Sequence, residues 1–342
     1  MVIQVAREGR MHNRRKLVVA LGAGVLTASL SHLKAHAQQI KKLPRVGILW
    51  HAASAAEEGP YFDAVIQGFK ELGYVDGQNI VLDHRYPNEE PAKFRSMAAE
   101  LVSLKPGVIL AAGGPASVAA KNATTTIPIV FAVVPDPLGN KLVDSLARPS
   151  GNVTGLTNFG TQLIAKRLEY LKETIPSVSR VALLINPNAQ SSRQYVEDSE
   201  AAAAKLQLVV QRFEAQSLAD LELIFDSMVK ARMQAVSVTP DGLFFQFRTV
   251  IGRLMLARRF PSCVYSREIL EAGALLSYGA DQRAIFRRAT AYADKILKGA
   301  KPAELPVEQP SKFEMAINLK TATAIGIKIP NSILLRADTV IE

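Results

Sequence analysis

The sequence predicts an α/β protein with two similar lobes, each a doubly wound parallel β-sheet, joined by a hinge. Short runs of aliphatic and β-branched residues alternate with longer segments of helical periodicity along most of the chain. Strands separated by helices indicate right-handed crossovers and parallel sheets that are covered on both faces. The alternation restarts after Ser150-Gly151-Asn152, which places two comparable runs in succession and a hinge at residues 151–158.

The first run predicts four strands, each followed by a helix. Residues 45–50 form an apolar run typical of a buried strand, and Phe62, Val65, Ile66, Phe69 and Leu72 then fall on one face of a helix. Gly73 is a typical residue at the end of a helix. The other predicted strands are 79–85, 108–111 and 127–134, and the other helices are 91–105, 115–121 and 138–146.

The second run predicts the same kinds of element after the hinge. Helices are predicted at 163–173, 191–205, 218–232, 244–258 and 282–298, and strands at 180–185, 207–213, 235–238, 262–265 and 274–278. The tail differs in character, because Pro302, Pro306 and Pro310 indicate an extended linker. A strand at 313–318 and a short helix at 320–325 are predicted to follow it.

The first 37 residues have the layout of a secretory signal peptide. The basic cluster Arg14-Arg15-Lys16 precedes an apolar run at 17–30, and Ala35-His36-Ala37 supplies the small residues that a signal peptidase recognises. This run is shorter than the roughly 20 residues that a membrane-spanning helix needs. We therefore predict a cleaved signal, a periplasmic location and no membrane anchor. The paired arginines also fit the twin-arginine route, and Met11 would begin a more usual signal peptide than Met1.

The composition excludes several functional classes. Residues 1–37 contain six Lys or Arg and one Glu, so cleavage lowers the formal net charge from +10 to +5. The remaining cations are scattered, which argues against nucleic-acid binding. Cys263 is the one cysteine, and His51 and His84 are the histidines after residue 37, a set that disfavours a zinc site. Because the sequence has neither a nucleophile-elbow nor a P-loop motif, we predict no enzyme activity, no metal and no cofactor.

Candidate ligand-binding residues gather where the predicted strands end. In open parallel sheets ligands bind at the carboxyl ends of the strands, and polar and aromatic residues there are typical of a small-molecule pocket. The candidates in chain order are Trp50, His51, Gly114, Ser117, Asp136, Thr157, Asn158, Asn186, Asp241, Tyr265 and Tyr278.

Several of these candidates have a second interpretation. The Gly113-Gly114-Pro115 segment would either present helix N–H groups to an anion or make a tight turn. Asp136 would accept a ligand ammonium group or cap a helix, and the same choice holds for Asp241, where capping is slightly favoured. Trp50 would stack on a flat ligand or pack between the lobes. A lone histidine such as His51 is more often a hydrogen-bonded structural residue than a ligand contact.

Short motifs recur in order along residues 44–342. They include Phe69-Lys70-Glu71-Leu72-Gly73-Tyr74, Gly77-Gln78-Asn79-Ile80, Asp136-Pro137, Gly151-Asn152-Val153-Thr154-Gly155, Ser277-Tyr278-Gly279 and Leu305-Pro306-Val307-Glu308-Gln309-Pro310. By these motifs the chain resembles the periplasmic components of bacterial ABC transport systems, a family of substrate-binding proteins related to tryptophan-type binding proteins.

The resemblance implies a type I periplasmic-binding-protein fold that closes on its ligand like a Venus flytrap. It also implies crossovers near 155–158, 266–274 and 307–313. The N-terminal lobe would then contain residues 44–155 plus about 275–306, and the C-terminal lobe 156–274 plus about 307–342. Asp136, Thr157, Asn186, Asp241 and Tyr278 match the polar cleft residues of the relatives. Those relatives bind amino acids, often aromatic ones, but the local sequence at 186–188 differs from that of the tryptophan binders.

We therefore predict a monomeric solute-binding component of an ABC importer. It would capture an amino acid, or another aromatic or carboxylated solute, and deliver it to an ABC permease in the inner membrane. The alternative is an exported ligand-sensing domain that signals to a receptor kinase. Transcription regulators reuse the same pair of lobes behind a helix-turn-helix, but in this chain an export signal occupies that position.

Overall fold

The computed structural model describes residues 43–342, in which two separate β-sheets organise the chain. The signal-peptide prediction lies outside the described residues. Within them, no helix is both long enough and apolar enough to cross a bilayer.

The first sheet contains five parallel strands in the order β2-β1-β3-β4-β5. Every residue of β3 and β4 is buried, which is the pattern expected of central strands covered by helices on both faces. The strands are β1 (Arg45–Leu49), β2 (Val81–Arg85), β3 (Val108–Ala112), β4 (Ile129–Val134) and β5 (Val153–Thr157).

Helices of the first lobe begin where the sequence favours it. Pro60 and Pro91 occupy the first position of two helices, where the missing N–H has no intrahelical partner to lose. The helices are α1 (Ala55–Glu58), α2 (Pro60–Glu71), α3 (Pro91–Ser103) and α4 (Gly113–Ala123).

The second sheet contains seven strands in the order β12-β11-β10-β9-β8-β6-β7. Its strands are β6 (Arg180–Ile185), β7 (Val209–Glu214), β8 (Ala235–Val238), β9 (Ser262–Val264), β10 (Leu276–Ala280), β11 (Phe313–Asn318) and β12 (Thr339–Ile341). Only the β10–β11 pair is antiparallel among these strands. The remaining helices are α5 (Ile164–Thr174), α6 (Ser192–Leu206), α7 (Leu218–Lys230), α8 (Gly242–Gln246), α9 (Arg248–Ala257), α10 (Arg267–Glu271), α11 (Gln282–Leu297), α12 (Leu319–Ile325) and α13 (Asn331–Leu334).

Three segments connect the lobes. The first lies between β5 and α5, and the third runs along β5, where the Thr157 N–H donates to the carbonyl of Glu308. The second crossover follows Ala280, because β10 pairs with β9 and β11 whereas α11 packs on α2 and β4 of the first lobe. It therefore lies later than the 266–274 expected from the resemblance, and residues 276–280 belong to the second sheet.

Two predicted helices differ from the structure. Residues 138–146 form turns instead of a helix, since the Asp136 carboxylate accepts the Gly139 N–H and Lys141 has a φ of +53°. The single helix predicted at 244–258 is divided at Phe247 into α8 and α9. The short α8 brings residues of the second lobe to the first, as described below.

Candidate functional site

A cavity of about 80 Å³ lies between the two lobes at the carboxyl ends of their strands. This volume is several times what one water molecule requires, but it is below the roughly 300 Å³ of a small-molecule pocket, so the lobes would separate slightly around a bound solute. The first lobe contributes the start of α4 and the loops after β1 and β4, and the second contributes the loops after β6 and β8. The polar residues among its walls are His51, Asn140, Asn158, Gln190, Ser191, Asp241 and Gln282.

Asp241 is the carboxylate of this cavity, and its position is fixed from two sides. As N-cap of α8 it accepts the Leu243 N–H at 3.0 Å, and it also accepts the Asn186 amide at 3.1 Å. Burial raises the pKa of Asp241 to about 6, against the lowering effect of these two hydrogen bonds. The hydroxyl of Tyr265 donates to the Asp241 carbonyl at 2.9 Å and so holds the backbone as well. Capping and ligand contact are therefore compatible roles for Asp241.

The beginning of α4 forms part of the opposite wall. Gly113 has a φ of +78°, and an added Cβ on Gly114 would lie 3.3 Å from the Asn140 amide nitrogen. Neither glycine places a side chain in front of the first backbone N–H groups of this 11-residue helix. The N-terminus of a helix presents unpaired N–H groups and a partial positive charge, which suit a carboxylate.

Aromatic rings line the cavity where the lobes meet. Phe245 of α8 is 2% exposed and packs in the core of the first lobe, stacked on Tyr61 with ring centroids 4.3 Å apart. The His51 ring meets Phe245 edge-on at 5.7 Å. Tyr265 completes the aromatic lining from the second lobe. These rings give the cavity flat apolar walls.

Direct hydrogen bonds between the lobes show that the cleft is closed in this structure. The Tyr61 hydroxyl donates to Glu268 of α10 at 3.1 Å, and the Gln246 amide donates to Asn88 at 2.7 Å. Arg248 of α9 donates to the carbonyl of Glu57 at 3.2 Å. The Tyr61 contact lies at the cavity wall itself.

Five of the sequence-predicted residues line the cavity: His51, Gly114, Asn158, Asp241 and Tyr265. Asn186 does not line the cavity, but its amide donates to the Asp241 carboxylate and so positions it.

Trp50 and Ser117 lie in the core of the first lobe. Trp50 is fully buried, and its indole N–H donates to His84 Nδ1 at 2.9 Å. Its ring packs on Phe62 of α2 and Phe286 of α11, because the side chain points to the face of the sheet that these helices cover. Ser117 is one turn inside α4 and donates back to the Gly113 carbonyl. Neither side chain contributes to the cavity wall.

Asp136, Thr157 and Tyr278 also lie away from the cavity. The Asp136 carboxylate is used in its own turn, where it accepts the Gly139 N–H at 2.9 Å. The Thr157 hydroxyl accepts the Phe159 N–H in the segment that follows β5. Tyr278 sits inside β10, which extends two residues further than predicted, and it packs on Tyr170 and Phe313.

A second, larger groove of about 900 Å³ runs beside the hinge along α2 and α11. It contains several arginines, but Arg283, Arg287 and Arg288 each pair with a carboxylate, from Glu268, Glu71 and Glu308 respectively. Because these cations are already paired, they are less available to an anionic solute, and the interlobe cavity is the candidate ligand site.

Sequence reasoning missed Tyr61, Asn140, Phe245 and Gln282 as lining residues. Tyr61 and Phe245 follow the ordinary helical pattern of core residues, so no local signal separates them from the core. Asn140 was hidden in a segment predicted as helix, although Gly139-Asn140 is a typical turn sequence.

Comparison with known proteins gives consistent matches over most of the chain. A family model described as ABC transporter substrate binding protein matches residues 55–341. The tyrosine-binding protein of Clostridioides difficile is 27% identical over 292 residues, which cover 84% of this chain and 82% of that protein. The solved structure of a conserved domain protein of Vibrio cholerae has a TM-score of 0.82 and 27% identity, and the match covers 87% of this chain and 100% of that one. The structure of an ABC domain of Streptococcus pneumoniae in complex with L-Trp has a TM-score of 0.81 and 27% identity, and the match covers 88% of this chain and 100% of that one.

Proposed function

The chain belongs to the family of ABC transporter substrate-binding proteins, and we propose that it is the exported, periplasmic solute-binding component of an ABC importer. It captures an amino acid between its two lobes and delivers it to a permease in the inner membrane. As a monomeric carrier it binds its solute stoichiometrically and does not turn it over.

The observation that carries the ligand class is that Asp241 and the start of α4 line one cavity from different lobes. A carboxylate on one lobe suits an ammonium group, whereas the N–H groups of a helix start on the other suit a carboxylate. None of the described residues that line the cavity is Lys or Arg, which disfavours an anionic solute without an amine. A zwitterionic amino acid carries both charged groups, so it suits both Asp241 and the start of α4.

The aromatic walls favour an aromatic side chain on that amino acid. Tyr61, Phe245 and Tyr265 present rings to the cavity, and ring–ring contacts contribute about 0.5–1.5 kcal/mol beyond area burial. The tyrosine-binding relative and the relative solved with L-Trp support the same choice. L-Tyrosine and L-tryptophan are therefore the first candidates.

Capture follows from the two-lobe arrangement. A solute held by Asp241 and by the α4 start contacts both lobes, so it binds the closed form better than an open one and shifts the population towards closure. The direct contacts of Tyr61 with Glu268 and of Gln246 with Asn88 form only when the lobes meet. The closed form would be the one that docks on the permease.

Isothermal titration calorimetry with three matched compounds tests the proposal. L-Tyrosine has both charged groups, tyramine lacks the carboxylate and 4-hydroxyphenylacetate lacks the amine. We expect L-tyrosine to bind at one site per chain and each truncated compound to bind more weakly by roughly tenfold or more, since a charged hydrogen bond contributes about 1.5–3 kcal/mol. A panel of amino acids in which none binds, or equal affinity for all three compounds, would contradict it.

A further inference from the structure

Two carboxylates lie against one histidine where the lobes meet, and a third carboxylate lines the same cavity as that histidine. Glu58 Oε2 lies 3.2 Å from His51 Nε2, and Glu89 Oε1 lies 3.7 Å from His51 Nδ1. The His51 and Glu58 side chains are 6% and 0% exposed, and that of Glu89 is 11% exposed. The third carboxylate, that of Asp241, is supplied by the second lobe.

Only Glu89 lacks hydrogen-bond donors within this group. Glu58 accepts the backbone N–H groups of His51 and Ala52 at 2.9 and 2.8 Å, and Asp241 accepts from Asn186 and Leu243. Glu89 Oε1 and His51 Nδ1 are both buried and have no hydrogen-bond partner among residues 43–342. A buried, ionised carboxylate without donors is costly, and protonation removes that cost.

Closure itself buries Glu89. Gly242 at the start of α8 approaches so closely that an added Cβ would lie 2.0 Å from Glu89 Oε1 and 3.3 Å from His51 Cγ. The lobe contact therefore removes water from Glu89 and brings the charge of Asp241 towards it. Desolvation, followed by the charges of Asp241 and Glu58, raises the pKa of Glu89 well above its ordinary value.

No other charged group of the surrounding elements balances these carboxylates. His51 carries at most one positive charge and is shared between Glu58 and Glu89. Arg248 of α9 directs its guanidinium to the carbonyls of Glu57 and Phe245 instead. Tyr265 donates its hydroxyl to the Asp241 carbonyl, and buried Tyr195 adds no positive charge.

We propose that Glu89 takes up a proton as the lobes close, which makes closure of the cleft pH-dependent. The inference rests on the two-lobe closure of the proposed function, but it does not depend on which solute is bound. A group that binds its proton more tightly in the closed form favours closure as pH falls. Between the ordinary and the raised pKa of Glu89, the closed-to-open ratio should rise by up to about tenfold per pH unit.

Double electron–electron resonance on the ligand-free protein tests this directly. Spin labels are placed at A99C on α3 and A204C on α6, which are exposed positions on different lobes, and the buried Cys263 does not compete for label. We expect the short-distance population to grow as the pH is lowered from 9 to 5. In Glu89→Gln, which mimics the protonated side chain, this population should be larger than in the parent, and any remaining growth should be confined to pH values near and below 6, where Asp241 titrates.

Glu90→Gln is the matched control, since Glu90 is the exposed neighbour that pairs with Lys93. It should respond to pH as the parent does. A pH response as large in Glu89→Gln as in the parent would place the proton elsewhere and would overturn the inference. Distances that are independent of pH in the parent would overturn it as well. Neither result depends on amino-acid binding, so the proposed function would still be tested separately by calorimetry.

Discussion

Phe245 of the second lobe stacks on Tyr61 of the first, with ring centroids 4.3 Å apart and ring planes inclined by 23°. The Tyr61 hydroxyl also donates to Glu268, so one side chain joins an apolar contact to a hydrogen bond across the cleft. Both rings line the cavity. We therefore propose that closure of the cleft and contact with the ligand depend on the same residues.

Phe245→Leu should weaken L-tyrosine binding by roughly 2- to 12-fold, because it keeps apolar burial but loses the ring contact. Calorimetry measures the change. The control is Phe225→Leu, a fully buried phenylalanine in the core of the second lobe that packs on Phe260. It should lower the melting temperature without changing affinity. Equal affinity losses in the two variants would mean that Phe245 is an ordinary core residue.

Asp241→Asn should lower the affinity for L-tyrosine by roughly 10- to 150-fold, the equivalent of about 1.5–3 kcal/mol for a charged hydrogen bond. Asparagine is as good an N-cap as aspartate, so α8 should remain intact. The affinity for 4-hydroxyphenylacetate, which has no amine, should not fall.

Asp136→Asn is the control for Asp241, because its carboxylate is engaged with the Gly139 N–H away from the cavity. We expect unchanged binding of L-tyrosine. A large loss of affinity in Asp136→Asn with no loss in Asp241→Asn would show that Asp136, and not Asp241, contacts the ammonium group.

Binding of L-tyrosine to Glu89→Gln, in which closure no longer depends on protonation of Glu89, should fall below about pH 6. Burial raises the pKa of Asp241 to about 6, so the carboxylate becomes neutral as pH falls through that value and loses its attraction for an ammonium group. The expected loss is up to about tenfold per pH unit. The charged groups of L-tyrosine itself do not titrate between pH 5 and 7. The double variant Glu89→Gln with Asp241→Asn should bind weakly, with no pH dependence in this range, and an affinity of Glu89→Gln that is constant from pH 7 to pH 5 would contradict the assignment.

Gly242→Ala should hold the cleft open. Its Cβ would meet the Glu89 carboxylate at 2.0 Å, and overpacking costs about 1–3 kcal/mol, or roughly 5- to 150-fold in affinity. The double variant Gly242→Ala with Glu89→Ala makes room and should recover much of the affinity. If the single variant binds L-tyrosine as tightly as the parent, the closed arrangement around Gly242 is not the binding form.

Trp50→Phe should destabilise the protein without changing affinity. Trp50 is fully buried in the first lobe, and its loss leaves His84 Nδ1 without its donor, at a cost of about 1–3 kcal/mol. Urea unfolding measures the stability and calorimetry measures the binding. A loss of affinity at unchanged stability would indicate that Trp50 contacts the ligand.

The two-lobe fold was predictable because its signals are local and repeated. Buried strands such as β3 and β4 are continuous apolar runs, and Pro60, Pro91 and Ser217 mark helix starts. The second crossover was less predictable, since whether β10 joins one sheet or the other depends on pairing with β9 and β11 rather than on its own sequence.

The candidate site was predictable only where a residue directly follows a strand. His51 and Asp241 were found for this reason, but the same rule also selected Trp50, whose side chain turns to the opposite face. Glu89 has no local sign of burial, because adjacent carboxylates in a polar loop, such as Glu89-Glu90, are usually solvated surface residues. Its burial arises from the approach of Gly242 on the other lobe, a contact that no local pattern records.

A crystal structure of the protein with L-tyrosine tests the central claim most directly. The account predicts one ligand enclosed between the lobes, with its amino group within hydrogen-bond distance of Asp241 and its carboxylate at the N–H groups that begin α4. A ligand bound in the groove beside the hinge, or held by one lobe alone with the cleft open, would contradict it.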